Sequence, residues 1–222
     1  MKIGVVGCVG RMGRMIVQEV SATEGCELAG GTEAPGHESI GADVAAMAGL
    51  DALGLAITTD VEALFEDVQT VIDFTLPEAT VHHAELAAAA KTILISGTTG
   101  LDGGQMDVLK SAARKTAIVH APNMSVGVNL LIALTGQVAA VLGDDFDIEI
   151  VEMHHRHKVD APSGTALGLA EAAAAGRGVV LDEVAVRGRD GLTGERPRGA
   201  IGMAALRGGD VVGEHTITFA GE

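Results

Sequence analysis

The sequence predicts an α/β chain in two parts, an alternating α/β part followed by a smaller α+β part. In the first half, short apolar strand-like segments alternate with helix-like segments, which is typical of a parallel sheet with helices on both faces. After residue 143, segments of alternating polarity indicate half-buried strands of an open-faced sheet. We therefore expect one domain over residues 1–123 and a second over residues 124–222.

The first domain is predicted to contain five strands and two long helices. The segment from residue 33 to residue 60 is less regular and is predicted to hold a mobile loop. In the first helix, one face is expected to be buried, formed by Met12, Met15, Ile16 and Val20. The predicted strands are 2–7, 26–32, 70–75, 92–99 and 116–123, and the helices are 11–23 and 81–91.

The second domain is predicted to open with an uncharged helix over residues 124–143. Its length would suit a membrane span, but polar residues such as Asn129 and Gln137 leave only a short apolar core, so we expect a buried or interface helix. In DFDIEIVEMHH, one strand face is expected to be apolar, with Phe146, Ile148 and Ile150 on it. Further strands are predicted in VAVRGR, GAIGMAALRG and EHTITFAG.

Composition and charge exclude several classes of partner. With a net charge of −15 and no Trp or Tyr, the chain is not expected to bind nucleic acid or an anionic membrane. The N-terminus shows no signal-peptide pattern, and Cys8 and Cys26 are expected to be buried free thiols. These features predict a cytoplasmic protein in a reducing compartment.

A glycine-rich loop follows the first predicted strand. Gly7, Gly10 and Gly13 form G-x-x-G-x-x-G, and Glu33 lies 20 residues further on, after the second strand. Such glycines allow the backbone to approach a pyrophosphate at a helix N-terminus, and the acid suits the ribose hydroxyls of the adenosine. The pattern predicts a Rossmann-type dinucleotide-binding domain; a tight strand-to-helix turn without a ligand is the alternative.

The residues after Glu33 bear on the choice of dinucleotide. Ala34 and Pro35 supply no positive charge, and Arg11 and Arg14 are the only cations near in sequence. A 2′-phosphate would meet the Glu33 carboxylate with little compensation. We therefore expect NADH to be used at least as well as NADPH.

Two further loops are predicted at the carboxyl ends of strands. They are residues 97–100, Gly-Thr-Thr-Gly, and residues 121–124, Ala-Pro-Asn-Met. Ligands of open α/β sheets bind at this edge, so the two loops are candidates for the cofactor site; each alone is also a plain turn.

Histidine and cationic residues are concentrated in EMHHRHKVDAPSGTAL, residues 152–167. Ser163 is expected to cap a helix whose free N–H groups, at Gly164 and Thr165, form an anion site suited to a carboxylate. His154 is a candidate proton donor because histidine titrates near neutrality. A capped helix beside a solvated loop is the alternative; no metal site is expected, because His154 and His155 should point to opposite faces of a strand.

At this point the motifs closely resemble the dihydrodipicolinate reductases, also called 4-hydroxy-tetrahydrodipicolinate reductases, of the diaminopimelate route to lysine. The resemblance extends over essentially the whole chain, and the histidine motif is its most specific part. The matching motifs are GCVGRMGR, DFT, SGTTG, APNMSVGVN, EMHHRHKVDAPSGTAL and GGDVVGEHTITFAGE.

The resemblance implies NAD(P)H-dependent reduction of a cyclic imine that carries two carboxylates, with loss of water. It implies two proton donors, His154 and Lys158, and three substrate-binding residues, His155, Gly164 and Thr165. It also implies that the sheet of the second domain assembles a homotetramer. The cofactor-binding residues that it implies are Gly7, Cys8, Val9, Gly10, Arg11, Met12, Glu33, Gly97, Thr98, Thr99, Ala121, Pro122, Asn123 and Met124.

Two features depart from the family pattern. Ala34 stands where many members have an arginine that favours the 2′-phosphate, and the chain ends at FAGE, whereas members continue for several dozen residues that complete the cofactor domain. Without that tail we expect an uncovered edge or apolar face on the first sheet. Two other classes of function stay open: an NAD(P)-binding module without catalysis, and a metal-dependent lyase or hydrolase that uses the histidines.

Overall fold

A five-stranded parallel sheet forms the centre of the first unit. The computed structural model describes residues Met1–Glu222 and divides them into two units, Met1–Pro122 and Asn123–Glu222. In the first unit the strands follow the order β2-β1-β3-β4-β5, all parallel, as the alternating pattern predicted. The strands are β1 (Lys2–Val6), β2 (Glu27–Thr32), β3 (Thr70–Asp73), β4 (Ile93–Ser96) and β5 (Ile118–His120).

The strand order reverses between β1 and β3. The chain first adds β2 on one side of β1 and then returns to place β3 on the other side. In open α/β sheets, connections leave in opposite directions at such a point, which opens a crevice at the carboxyl ends of the strands. The glycine loop after β1 and the DFT segment after β3 border this crevice.

Side-chain caps begin most helices of the first unit. Asp43, Asp60 and Asp102 each accept a hydrogen bond from a backbone N–H of the first turn, and Asp102 forms a reciprocal capping box with Gln105. The helices are α1 (Arg11–Ala22), α2 (Val44–Met47), α3 (Val61–Asp67), α4 (Pro77–Ala90) and α5 (Gly103–Ala112).

The buried face of α1 agrees with the predicted one at Val20 but not at Met12 or Met15. Met12 and Met15 are 43% and 61% exposed, whereas Gly13, Val17 and Val20 are buried. The helix approaches the glycine loop at Gly13, where a Cβ atom would lie 2.8 Å from the Cα atom of Cys8. This close approach decides which face of α1 turns inward. A hydrophobicity pattern misses it, because the pattern gives more weight to two methionines than to one glycine.

The two cysteines also lie in different environments. Both are free, but only Cys8 is buried, and Cys26 is partly exposed, contrary to the expectation of two buried thiols. Burial raises the pKa of Cys8, and the nearby Glu33 carboxylate adds to this shift, so that the pKa reaches about 12. Cys8 is therefore an uncharged packing residue.

A four-stranded mixed sheet forms the centre of the second unit. The order is β7-β8-β6-β9; β8 is parallel to both of its neighbours, and β9 is antiparallel to β6. On β6, Ile148 and Ile150 face the core, as the alternation predicted. The elements are α6 (Val126–Leu142), a 3-10 turn (Gly143–Asp145), β6 (Asp147–His154), α7 (Gly164–Arg177), α8 (Leu181–Val184), β7 (Ala185–Arg187), β8 (Ile201–Arg207) and β9 (Glu214–Ala220).

Helix α6 packs closely on α7 along one side only. A Cβ atom on Gly176 would overlap the carbonyl oxygen of Gly136, so glycine permits the close approach. The opposite side is apolar and open, with Val126, Leu130 and Val141 at 84%, 59% and 84% exposure. Of the two predicted possibilities, a buried or an interface helix, full burial is therefore excluded within this single chain, and the interface helix stays a prediction. By length and composition alone, the segment Val126–Asp145 would also suit a membrane span, and little of it is buried.

Candidate active site

The glycine loop forms a cradle at the start of α1. Gly7 has a φ of +63°, in the left-handed region that favours glycine, and its N–H donates to the carbonyl oxygen of Thr32 at 2.9 Å. Gly10 caps α1 without a side-chain hydrogen bond, and the first turn contains no acidic residue. The N–H groups of that turn and the positive end of the helix dipole are thus open to an anion, which suits a pyrophosphate.

Glu33 lies beside this loop, where a ribose-binding acid was predicted. Its Oε1 atom accepts a hydrogen bond from Val9 N at 2.9 Å, which joins the end of β2 to the loop after β1. A cavity of about 580 Å³ opens here, a size that suits a small-molecule or cofactor site. Its lining includes Gly7, Val9, Gly10, Glu33, Phe74 and His83.

Three of the predicted loop residues stand outside that lining. Cys8 is buried beneath the loop, where a Cβ atom on Gly31 would lie 2.9 Å from its Sγ atom. Arg11 and Met12 have exposed side chains on the first turn of α1. Cys8 N also donates to Thr32 O at 3.3 Å, so Cys8 supports the loop from below, whereas Arg11 and Met12 stand at its rim.

A buried carboxylate joins the loops that follow β3 and β4. Asp73 has 0% exposure and accepts hydrogen bonds from Thr75 N, at 2.9 Å, and from Thr75 Oγ1, at 2.6 Å. His83 Nδ1 lies 2.9 Å from its other oxygen. Thr98, in the second loop, hydrogen-bonds to Thr75 N at 3.2 Å and to Thr80 Oγ1 at 2.7 Å.

The charge of Asp73 follows from these contacts. Burial alone would raise its pKa, but hydrogen bonds from His83 and Thr75 and the charge interaction with His83 outweigh it, so the pKa lies below the usual value. His83 is itself buried, so the pair is shielded from solvent. It reaches Asp73 from α4, and no local motif signals this pairing.

The other predicted cofactor residues occupy the two loops after β4 and β5. The Phe74 ring covers Gly97 so closely that a Cβ atom there would overlap it, and Thr99 is exposed. Ala121 N donates to Ser96 O at 3.1 Å, which holds the loop after β5 beside the end of β4. Pro122 ends the first unit, and Asn123 and Met124 begin the second.

The second unit contains a polar network centred on Glu152, a β6 residue with 1% exposure. Arg207 binds both of its oxygens, at 2.8 and 3.0 Å. His154 Nδ1 lies 2.6 Å from Oε2, and Ser163 N donates to Oε1 at 3.2 Å. Burial would raise the pKa of Glu152, but the hydrogen bonds from Arg207 and His154 outweigh burial and lower it. Glu152 is therefore an ionised, fully contacted carboxylate.

Ser163 caps α7, as predicted. Its Oγ atom accepts from Ala166 N at 3.2 Å and lies 2.8 Å from His215 Nε2. Burial first, and then the charge of His154, lower the pKa of His215, so the neutral ring accepts a hydrogen bond from the Ser163 hydroxyl at Nε2. The backbone N–H groups of Gly164 and Thr165 lie in the first turn of α7 and have no carbonyl acceptor within the helix. They are therefore available to an anion.

His215 comes from β9, 52 residues after Ser163, so no local motif signals this contact. Its ring meets that of His154 edge to face, with centroids 5.0 Å apart. In the same unit, Asn123 Nδ2 donates to Thr165 Oγ1 at 3.0 Å, so a residue predicted for the cofactor contacts one predicted for the substrate.

The remaining predicted residues lie on the loop between β6 and α7. Lys158 Nζ pairs with Asp160 at 2.8 Å and its side chain is 20% exposed. His155 directly follows β6, and its ring lies near that of His157, with centroids 6.2 Å apart. The structure holds no group of three or more His, Cys, Asp or Glu side chains placed to bind a metal ion.

Known proteins resemble the chain along its whole length. The N-terminal model of dihydrodipicolinate reductase matches residues 1–124, and the C-terminal model matches residues 127–222. A 4-hydroxy-tetrahydrodipicolinate reductase from Dinoroseobacter shibae is 56% identical over 220 residues, which are 99% of this chain and 82% of that protein. One from Parvibaculum lavamentivorans is 54% identical over 222 residues, which are 100% of this chain and 82% of that protein.

A solved structure supports the same assignment. Dipicolinate-bound dihydrodipicolinate reductase from Paenisporosarcina sp. TG-14 superposes with a TM-score of 0.72 at 26% identity, covering 100% of this chain and 84% of that one. The glycine loop, the acid after β2 and the histidine network thus occur in a chain that matches the N-terminal and C-terminal models of one enzyme family. This chain belongs to the dihydrodipicolinate reductase family.

Proposed function

We propose that this chain reduces 4-hydroxy-tetrahydrodipicolinate to tetrahydrodipicolinate with NAD(P)H and loss of water, in the diaminopimelate route to lysine. The observation that carries the proposal is the Glu152 network, which holds His154 beside the open N-terminus of α7. A proton donor next to a carboxylate-binding helix end suits an anionic substrate that must be protonated as it is reduced.

The first unit is proposed to hold the cofactor. The loop from Gly7 to Met12 would border the pyrophosphate, with the free amides of Arg11 and Met12 at the start of α1 facing it, and Glu33 would bind the adenosine ribose. The loops with Gly97, Thr98 and Thr99, and with Ala121 to Met124, would border the nicotinamide end. When bound, the dihydronicotinamide supplies a hydride to the conjugated imine.

The second unit is proposed to hold the substrate. The amides of Gly164 and Thr165 at the start of α7 would bind one carboxylate, and His155 would assist. His154 and Lys158 would supply protons as electrons enter the ring.

The direct test is a spectrophotometric assay at 340 nm. NADH and the protein are mixed with substrate generated from pyruvate and aspartate semialdehyde by the preceding synthase. A fall in absorbance that depends on the substrate supports the reductase. If NADH binds by titration but is not consumed, the chain is a non-catalytic NAD(P)-binding module. Activity that is lost with a chelator and restored by a metal ion would support a metal-dependent enzyme instead.

NADH is expected to give a kcat/KM at least equal to that of NADPH. Glu33 lines the cavity at the glycine loop, and Ala34 and Pro35 bring no positive charge to the same cavity. The variant Ala34→Arg is expected to raise kcat/KM for NADPH, since an arginine there would pair with the 2′-phosphate. Steady-state kinetics with both cofactors measure this, and a strong preference of the unaltered protein for NADPH would contradict the prediction.

The second unit is also proposed to assemble a homotetramer through its sheet. Val151 of β6 stands between Ala204 of β8 and Thr216 of β9, and these three exposed residues form an uncharged strip. Light scattering is expected to give four times the 22.5 kDa chain mass. Val151→Lys is expected to yield smaller species, because it places charges in the contact; a monomeric unaltered protein would refute the assembly.

The expected cytoplasmic location stays a prediction.

A further inference from the structure

We propose that Glu152 is a positioning residue that sets two parts of the active site at once, the ring of His154 and the first turn of α7. The inference rests on the proposed function, since it assigns how the proton donor and the carboxylate-binding amides are held. Glu152 opens the histidine motif and lies on the same strand face as His154, whereas its partner Arg207 comes from β8, far away in sequence.

The two oxygens of Glu152 have separate tasks. Oε2 accepts from His154 Nδ1 and from one arm of Arg207, and Oε1 accepts from Ser163 N and from the other arm. The carboxylate therefore accepts four hydrogen bonds, and moving it would disturb both the His154 contact and the Ser163 contact. Because Glu152 is 1% exposed, water cannot easily replace a lost contact.

On the His154 side, the carboxylate selects the tautomer. An ionised carboxylate only accepts hydrogen bonds, so Nδ1 must carry a proton, and Nε2 is the atom left to exchange a proton with substrate. Gly213 leaves that nitrogen uncovered, since a Cβ atom there would lie 2.8 Å from Nε2. Its φ of +152° also favours glycine.

On the α7 side, the carboxylate binds the residue just before the anion site. Ser163 N is held by Glu152, while Ser163 Oγ caps Ala166 N, so the peptide units of Gly164 and Thr165 between them are held at both ends. Arg207 adds a further restraint through the carbonyl oxygen of Asp160, in the loop that leads to α7, at 2.6 Å. Its positive charge balances the carboxylate in the buried network.

The test is Glu152→Gln, which keeps the size of the side chain and removes its charge. The amide can donate to His154 Nδ1, which allows the wrong tautomer, so we expect kcat to fall by between about 10- and 1000-fold. The Kd for NADH should stay within twofold of the unaltered value, because the cofactor residues of the first unit are untouched. The KM for substrate should rise, since the start of α7 loses one restraint.

A matched control lies on the same strand. Glu149 is also a β6 glutamate bound by arginine. Its partners are Arg189 and Arg196, and it contacts no histidine. Glu149→Gln is expected to keep kcat near the unaltered value. If both variants lose the same activity, the loss comes from breaking an ion pair in the sheet and Glu152 has no special role.

A double-mutant cycle separates positioning from general destabilisation. If Glu152 acts through His154, the variant with both Glu152→Gln and His154→Gln should be about as slow as His154→Gln alone. Effects on kcat that multiply would overturn the proposal, as would a kcat for Glu152→Gln within twofold of the unaltered protein.

A readout without turnover keeps this inference distinct from the function. Nitrogen-15 chemical shifts of labelled histidine, assigned with His154→Gln, should give the Nδ1–H form for His154 in the unaltered protein and a mixture in Glu152→Gln. The same tautomer in both proteins would overturn the inference, whether or not the reductase assay succeeds. An inactive protein with the expected tautomer change would refute only the proposed function.

Discussion

Replacing His154 with glutamine is expected to lower kcat by about 10²- to 10⁴-fold, the range that a positioned general acid contributes. Glutamine keeps the approximate size and polarity of the side chain, and Arg207 and Ser163 still bind Glu152, so most of the network should stay closed. It has no group that releases a proton near neutral pH. Steady-state kinetics at 340 nm, with NADH affinity measured by fluorescence titration, would give kcat and Kd separately.

His157 offers the matched control for this experiment. It belongs to the same histidine motif, but its side chain is exposed and stands outside the Glu152 network. His157→Gln should keep kcat within a few-fold of the unaltered protein. Equal losses of kcat and NADH affinity in His154→Gln would instead indicate a structural role, and the assignment of His154 as proton donor would fail.

Replacing Gly13 with alanine is expected to disrupt the first unit and its cofactor site together. The new Cβ atom would overlap the carbonyl oxygen of Gly7 and lie 2.8 Å from the Cα atom of Cys8. Both are backbone atoms, which no side-chain rotation can move aside. Overpacking of this kind costs about 1–3 kcal/mol or more, so we expect a lower Tm. The displaced loop should also bind NADH at least tenfold more weakly, by about 1.4 kcal/mol.

Gly103 provides the comparison for Gly13. It is the first residue of α5, and a Cβ atom there would meet nothing within 4 Å. Gly103→Ala is therefore expected to be neutral or to stabilise the protein by up to about 1 kcal/mol. Calorimetry and NADH titration of both variants test the pair. A Gly13→Ala protein with unaltered Tm and NADH affinity would show that α1 can move away from the loop.

The candidate site was only partly predictable from the sequence. The glycine loop, Glu33 and the Ser163 cap are local patterns, because neighbouring residues build each of them. The Asp73–His83 pair and the Glu152–Arg207 pair are not, since each joins residues from different strands and helices. A single sequence carries no signal of which distant charges meet.

The sequence by itself determined the fold class, the strand alternation and the location of the histidine motif. Hydrophobic period and turn chemistry act over a few residues, so they predict elements without knowledge of their neighbours. Tertiary structure decided which face of α1 is buried, because the backbone contact at Gly13 outweighs the apolar surface of Met12 and Met15. It also decided that Glu152, His154, Ser163 and His215 form one network, because burial makes every unpaired polar group costly and only the packed sheet brings their partners within reach.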